Sequence, residues 1–329
     1  MTVADLGTLF LKEHVTAKRK SSTAENYRLL LEKHVYPAVG LAKVETLTRA
    51  DLVRMHNAMR ERPHTANRVL AVIGSMISFA VKLDILPEGL NPTRGIERYR
   101  EEGRERYLTS DELQRLGEAL EEAETVGLPW DIDWANPDSK HVPKEWKGQR
   151  EKLDAHAVAA LRLLLLTGAR LREILHLKWR YVDLDRGLLL LPDSKTGRKT
   201  IVLSAAAMAI LLDFAEKDRR RIAQSRDAFV IKGQFDDRPR ADLKKPWDAV
   251  RRRAGLEDVR LHDLRHTFAS IGAGSSLGLP IVGKLLGHSQ PQTTARYAHL
   301  DADPLRRATD IIGDHITKVM RVRAKEPSA

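Results

Sequence analysis

The first hundred residues carry apolar side chains at helical spacing. Leu6, Leu9 and Phe10 fall on one face of a first helix, and Thr23 can cap a second running towards Tyr36, which Pro37 and Gly40 end. Thr48 with Asp51 three residues on is an Asp-containing form of the capping box. It opens a helix with Leu52, Met55 and Met59 on one side. From Thr65 to Leu83 a longer helix is apolar nearly all round, interrupted by Arg68 and Lys82. The pattern predicts a bundle of about four helices over residues 1–100.

Pro87, Gly89, Pro92 and Gly95 then break the periodicity, and Glu97 to Arg106 is almost wholly charged, which reads as an exposed linker centred on 101–106. A second unit, 107–329, opens with a capping box from Thr109 and Glu112. Residues 125–150 hold three prolines and three tryptophans and read as a loop insertion pinned by aromatics. A helix follows from Asp154 to Leu166; Thr167-Gly168 turns the chain, and a helix resumes from Leu171 to Trp179. Leu188–Leu191 and Lys199–Leu203 flank Asp193-Ser194-Lys195-Thr196-Gly197, a β-hairpin with Lys195 at its tip. The rest reads as helices around one short strand, Ala228 to Ile231. The fold class expected is mainly α, with a small sheet in the second unit.

Composition narrows the partner. The 329 residues carry a formal net charge of +11, spread as +5 over residues 1–106, −6 over 107–157 and +12 over 158–329. Such a surplus suits a polyanion, most commonly nucleic acid. Cysteine is absent, which excludes disulfides and thiolate metal sites. The N-terminus lacks a signal-peptide pattern, and the stretch Leu161–Leu166 is far too short to span a bilayer. The expectation is a soluble, cytoplasmic protein.

Four groups of polar residues stand out: Thr167-Gly168-Ala169-Arg170 with Glu173 three residues on, Ser194-Lys195-Thr196-Gly197, Leu261-His262-Asp263-Leu264-Arg265-His266, and Leu286-Gly287-His288 followed nine residues later by Tyr297. Each alone would be a surface arginine, a turn lysine, a solvated helix edge and a core tyrosine. Together, in this order, they resemble the catalytic domain of the tyrosine recombinase, or phage integrase, family over about residues 107–323. Residues 1–100, with Ala66-Asn67-Arg68 and Asn91-Pro92, resemble that family's core-binding domain less specifically.

The resemblance implies a SAM-like helical domain and a DNA breaking-rejoining domain that close around duplex DNA as a clamp. It implies site-specific recombination, integration or excision of a phage or other mobile element, through a 3′-phosphotyrosine. A chromosome-dimer resolvase, a type IB topoisomerase and a DNA-binding regulator without catalysis are the alternatives. Tyr297 would be the nucleophile; Arg170 and Arg265 would hold the non-bridging oxygens; Lys195 would protonate the 5′-oxygen. His262 and His288 would hydrogen-bond the phosphate or assist proton transfer at the tyrosine, and Glu173 would orient the site. These cations need no metal, and no cofactor is implied.

The chain would be a monomer in free solution and a tetramer on synapsed DNA, associated with the nucleoid. Its apolar-striped segment 304–323 would be a helix docking on a neighbouring protomer, and an N-terminal arm-site-binding domain would be absent or removed. Thr65, Asn67 and Arg68, expected in the first turn of the long helix, are the candidate DNA contacts outside the catalytic unit. His262 and His266 have the i, i+4 spacing of a zinc helix, but Arg265 would put positive charge beside the metal, and no third ligand is signalled. Gly197-Arg198-Lys199-Thr200 lacks the upstream glycine of a phosphate loop. The Arg219–Arg221 and Arg251–Arg253 runs read as solvated helix faces.

Overall fold

A computed structural model describes residues 1–101, 103–129, 150–194, 197–235, 238–275, 277–288, 290–298 and 312–318 of the chain. It divides into two compact units, Met1–Arg104 and Glu105–Ala329.

The first unit is helical. Helix α1 (Val3–Phe10) starts at a capping box in which Asp5 N–H donates to Thr2 Oγ1 and Thr2 N–H to Asp5 Oδ2. Helix α2 (Ser21–Leu30) begins two residues before Thr23, whose N–H donates to Lys20 C=O, so Thr23 lies inside the helix and does not cap it. Both helices run on through a π-helical turn, Leu11–Val15 and Leu31–Val35. The two turns have nearly the same sequence, Leu-Lys-Glu-His-Val and Leu-Glu-Lys-His-Val, and each buries its valine.

Helix α3 (Arg49–Asn57) has the Thr48/Asp51 capping box that the sequence predicts. Helix α4 (Pro63–Lys82) is long and apolar enough to cross a bilayer, but it buries Val69, Ile73, Met76 and Ile77 in the core of this unit. Proline at its first position suits a helix start, because that N–H would have no helical partner anyway.

In the second unit α5 (Ser110–Thr125) carries the expected Thr109/Glu112 box, with Glu112 also gripped by Arg106. Strands β1 (Leu128–Pro129) and β2 (Arg150–Glu151) pair antiparallel at the base of the 125–150 segment, of which 130–149 lie outside the described residues. Helix α6 (Ala155–Thr167) runs through the core, with Leu161 and Leu163 wholly enclosed. Each such side chain contributes about 1.5–3 kcal/mol by burial.

Helix α7 (Leu171–Leu175) ends four residues before the expected Trp179, which opens a 3-10 turn instead. Strands β3 (Val182–Asp183), β4 (Leu188–Ser194) and β5 (Gly197–Val202) form an antiparallel sheet in that order, with Leu189 opposite Ile201. Among the described residues the expected strand at Ala228–Ile231 forms an isolated bridge, Phe229 to Lys178, with Trp179 N–H donating to Ala228 C=O and Val230 N–H to Leu177 C=O.

Helix α8 (Ala205–Lys217) and its short continuation Arg219–Gln224 are followed by α9 (Lys244–Arg253), which buries Trp247 and Val250. Helix α10 (Leu261–Gly274) packs on α6 and on α11 (Leu279–Leu286), and α12 (Gln292–Ala295) packs on α11. Of the expected 304–323 helix, residues 312–318 are helical and exposed, with Ile312 at 59% and Ile316 at 51%; the remainder lies outside the described residues.

Candidate active site

Arg170 is placed by a forced turn. Helix α6 stops at Gly168, whose φ of 60° is left-handed and whose N–H donates to Leu164 C=O. A Cβ there would also sit 2.5 Å from the Phe268 ring, so both backbone and space demand glycine. Two residues later Arg170 caps α7. Its N–H donates to Glu173 Oε2 at 2.9 Å and its guanidinium to Oε1 at 2.8 Å.

The same carboxylate accepts a 2.8 Å bond from Lys199 Nζ on β5. Lys199, only 7% exposed, was not among the residues singled out from the sequence. It shares the inward face of β5 with Ile201, a register a solvated lysine would not take. The signal was there, as a lysine in an apolar position of an alternating strand. Lys195, the residue that was singled out, lies outside the described residues.

Arg265 draws the segments together. From the second turn of α10 it donates to Gly168 C=O at 2.5 Å and to Leu286 C=O at 2.9 Å. The first bond ties α10 to the turn before Arg170, and the second ties it to the end of α11, next to His288. Arg265 is 4% exposed, and these bonds commit two of its five N–H donors. Gly287 ends α11 in the left-handed region, and a Cβ on it would meet the Lys199 stem at 2.9 Å, so β5 reaches the same place. His288 Nδ1 lies 2.8 Å from Thr294 Oγ1 on α12.

Tyr297 follows α12 and is 6% exposed, packed with Ala269, Ala273, Val282 and Leu286. Its hydroxyl is hydrogen-bonded to His266 Nδ1. His262 stands one turn earlier on α10, edge to face with His266 at 5.0 Å between centroids, and no third potential metal ligand joins the pair among the described residues. Arg170, Glu173, His262, Arg265, His288 and Tyr297 therefore meet in one place, with Lys199 and His266 added.

Positive charge and burial set the electrostatics of the cluster. Burial, then the charge of Arg170, lowers Arg265 to about 10, still a cation at neutral pH. Burial also lowers Lys199, against the pull of Glu173. Burial acts to raise Glu173, but Lys199 and the N–H and guanidinium of Arg170 outweigh it and leave the carboxyl below its ordinary range. His288 falls to about 4 through burial and then the charges of Arg265, Arg170 and Lys199. His262 is exposed at its edge, yet the protein around it desolvates the ring and Arg265 adds to the lowering. Burial raises the Tyr297 phenol, opposed by Arg296 and Arg265.

Thr65, Asn67 and Arg68 belong to the other unit, and the structure corrects the expected place of Asn67 and Arg68. Helix α4 starts at Pro63, and Ala66 N–H already donates to Arg62 C=O, so positions 67 and 68 lie beyond the first turn and offer no spare backbone donors. Asn67 is 6% exposed and its amide is spent internally. Nδ2 donates to Tyr99 C=O and Glu101 Oε1, both at 2.8 Å, while Oδ1 accepts from Tyr99 N–H at 3.0 Å and faces His56 Nε2 at 3.1 Å. This residue clamps Tyr99 and Glu101, at the start of the linker expected from the sequence, onto its own unit. Arg68 is exposed and Thr65 half-buried.

A half-buried Arg170, a buried Arg265 and a carboxylate-held Lys199 stand with Tyr297, the residue types of the resemblance named above. Comparison with known proteins agrees. Residues 141–303 match the Phage integrase family and residues 7–90 the Phage integrase central domain, about three quarters of the chain together. The chain belongs to this family of tyrosine recombinases and integrases.

It is 34% identical over 154 residues to tyrosine recombinase XerC of Xanthomonas axonopodis pv. citri (strain 306), covering 46% of this chain and 49% of the relative. It is 24% identical over 228 residues to the integrase of Salmonella phage P22, covering 65% and 57%. It is 25% identical over 304 residues to the shufflon-specific DNA recombinase of Escherichia coli, covering 88% and 66%. The matches thus span between half and two thirds of these relatives' length.

The fold is that of a lambda integrase fragment seen as a dimer bound to a COC' core site, with TM-score 0.64, 17% identity and coverage of 92% of this chain and 97% of that one. The Tn1549 transposon integrase in complex with transposon right end DNA gives TM-score 0.61 at 17% identity, covering 95% and 100%.

Proposed function

We propose that this chain is a site-specific DNA recombinase that cuts and rejoins strands through Tyr297, in the service of a phage or other mobile element. The observation that carries the reading is Arg265, buried and bonded to the turns that present Arg170 and His288. A guanidinium held this firmly, with donors to spare, is preorganised for the non-bridging oxygens of a phosphodiester.

Tyr297 Oη would attack phosphorus, the Oη–P bond forming as the P–O5′ bond breaks. One phosphodiester replaces another, so rejoining needs no ATP. Arg170 and Arg265 hold the non-bridging oxygens, and His262 and His288 donate to the phosphate. Glu173 keeps Arg170 in place through its two bonds. Lys195 supplies the proton to the 5′-oxygen; that role rests on the resemblance of the Ser194–Gly197 tip to the family's hairpin lysine.

The substrates are double-stranded recombination sites, bound by both units and brought together by four protomers in the cytoplasm, on the nucleoid. The exposed Ile312 and Ile316 support a segment that docks on a neighbouring protomer. Domain limits of 1–100, 101–106 and 107–329 are part of the same reading.

The test uses DNA from the ends of the element carrying the gene. A nicked duplex whose short 5′-hydroxyl strand escapes after cutting traps the covalent complex, and a plasmid with two sites reports recombination. Adduct and recombination are expected. Specific binding without adduct would make the chain a regulator, and relaxation of plasmids lacking any site would make it a topoisomerase.

A further inference from the structure

We propose that His266 is the proton acceptor for Tyr297. The inference deepens the reading above, since it takes Tyr297 as the nucleophile. Among the described residues, His266 Nδ1 is the hydrogen-bond partner of the Tyr297 hydroxyl, with the two ring centroids 6.0 Å apart. The approach is built into α10. Ala269 and Ala273 follow His266 at three and seven residues, on the same side of the helix, and share one buried cluster with Tyr297. Small side chains on that face leave room for an aromatic ring beside the imidazole.

The other two histidines of the site are placed differently. His288 has its Nδ1 against Thr294 Oγ1, and His262 is exposed, edge-on to His266. Burial first, then the charges of His262 and Arg296, hold His266 near 4, so at neutral pH the ring is uncharged and able to accept. A phosphate bound at Arg170 and Arg265 opposes those positive charges and makes the ring more basic once substrate arrives.

The step balances. With the His266 proton on Nε2, the Tyr297 O–H bond breaks and its proton passes to Nδ1. The Oη–P bond forms, the P–O5′ bond breaks, and the 5′-oxygen takes a proton from the general acid. On rejoining, the imidazolium returns its proton to Oη as the Oη–P bond breaks.

The experiment uses the full chain and the nicked substrate. His266→Asn keeps a hydrogen-bonding group near Nδ1 but cannot take a proton; His266→Ala removes it. Both are expected to slow adduct formation by about 10²–10⁴-fold, His266→Asn doing so with unchanged melting temperature and DNA affinity. Replacing Tyr297 alone by a fluorinated tyrosine, whose phenol ionises more readily, should restore much of the rate in His266→Asn. A 5′-bridging sulfur substrate, which relieves the leaving group, should not.

Cleavage by His266→Asn at the wild-type rate would overturn the proposal, as would a slow variant that fluorination leaves unimproved, which would make His266 a positioning residue. No adduct from the wild-type chain would overturn the nucleophile reading itself, a result distinct from either.

Discussion

His56, Asn67 and Tyr99 in the first unit, and Arg170, Glu173, Lys199 and Arg265 in the second, are both groups of polar side chains withdrawn from water. They differ in balance. In the first, Asn67 spends its donors and acceptor on Tyr99, Glu101 and His56, and the His56 and Tyr99 rings stack 4.4 Å apart. Among these residues little is left for a ligand. In the second, one carboxylate serves Arg170 and Lys199, and among the described residues the hydrogen-bond partners of Arg265 are two carbonyls. A closed network holds a fold together, whereas an open one with surplus positive charge keeps the fold at a cost that a phosphate can offset.

Arg265→Lys should show the largest effect. One ammonium keeps the charge but cannot reach the Gly168 and Leu286 carbonyls and a phosphate together. Cleavage should fall by about 10²–10³-fold with site binding largely kept, as gel shift and adduct assays would measure. Near-normal cleavage would show that charge alone matters there and would erase the contrast.

Glu173→Gln attacks the balance directly. It leaves Lys199 buried without a counter-charge, a change that typically costs about 3–5 kcal/mol. For a unit of this size the melting temperature should drop by roughly 10 °C, and duplex DNA should restore part of it. An unchanged melting temperature would mean that Glu173 does not hold the cluster.

The histidines add a pH dependence. His266 and His288 are held near 4 in the folded chain, below the ordinary value of 6.5. A folded value below the unfolded one means that protonation favours unfolding. Their contribution is complete above about pH 6.5 and is lost progressively towards pH 4. Thermal melts between pH 7.5 and 4.5 should therefore lose stability across that window, and His288→Gln should flatten part of the loss. A pH-independent melting point there would contradict the positive field.

The smallest effects separate stability from binding within the first unit. Asn67→Ala should cost about 1–3 kcal/mol, the penalty of leaving buried groups unpaired, without altering cleavage in complexes already formed. Arg68→Ala should leave the stability within about 0.5 kcal/mol of the original. It should weaken site binding and reduce the salt dependence by about one counter-ion. The opposite pattern, with Asn67 governing affinity, would return Asn67 to the DNA-contacting role expected from the sequence.

What was legible follows from how local each cause is. Capping boxes at Thr48 and Thr109 involve residues three apart, and the β4–β5 hairpin is a short-range alternation; both read directly. Arg170, His262, Arg265, His288 and Tyr297 were legible as a set because their order and spacing formed a pattern.

Lys199 was hidden because its partner Glu173 is 26 residues away, although its inward strand register was a usable clue. The contact of His266 with Tyr297 spans 31 residues and depends on how α10 to α12 fold back. Asn67 looked like a DNA contact because a polar residue near a helix start looks the same whether it faces solvent or clamps a returning chain. The two π-helical turns left only a faint trace, a shared Leu-x-x-His-Val, too short to read as a repeat.

The most direct test of the account is to map the covalent bond. The wild-type chain would be trapped on the nicked substrate, digested, and the DNA-linked peptide sequenced by mass spectrometry, with Tyr297→Phe as control. A 3′-phosphate linked to Tyr297 is expected, and for Tyr297→Phe normal site binding with no adduct. An adduct on any other residue, or one still formed by Tyr297→Phe, would contradict it.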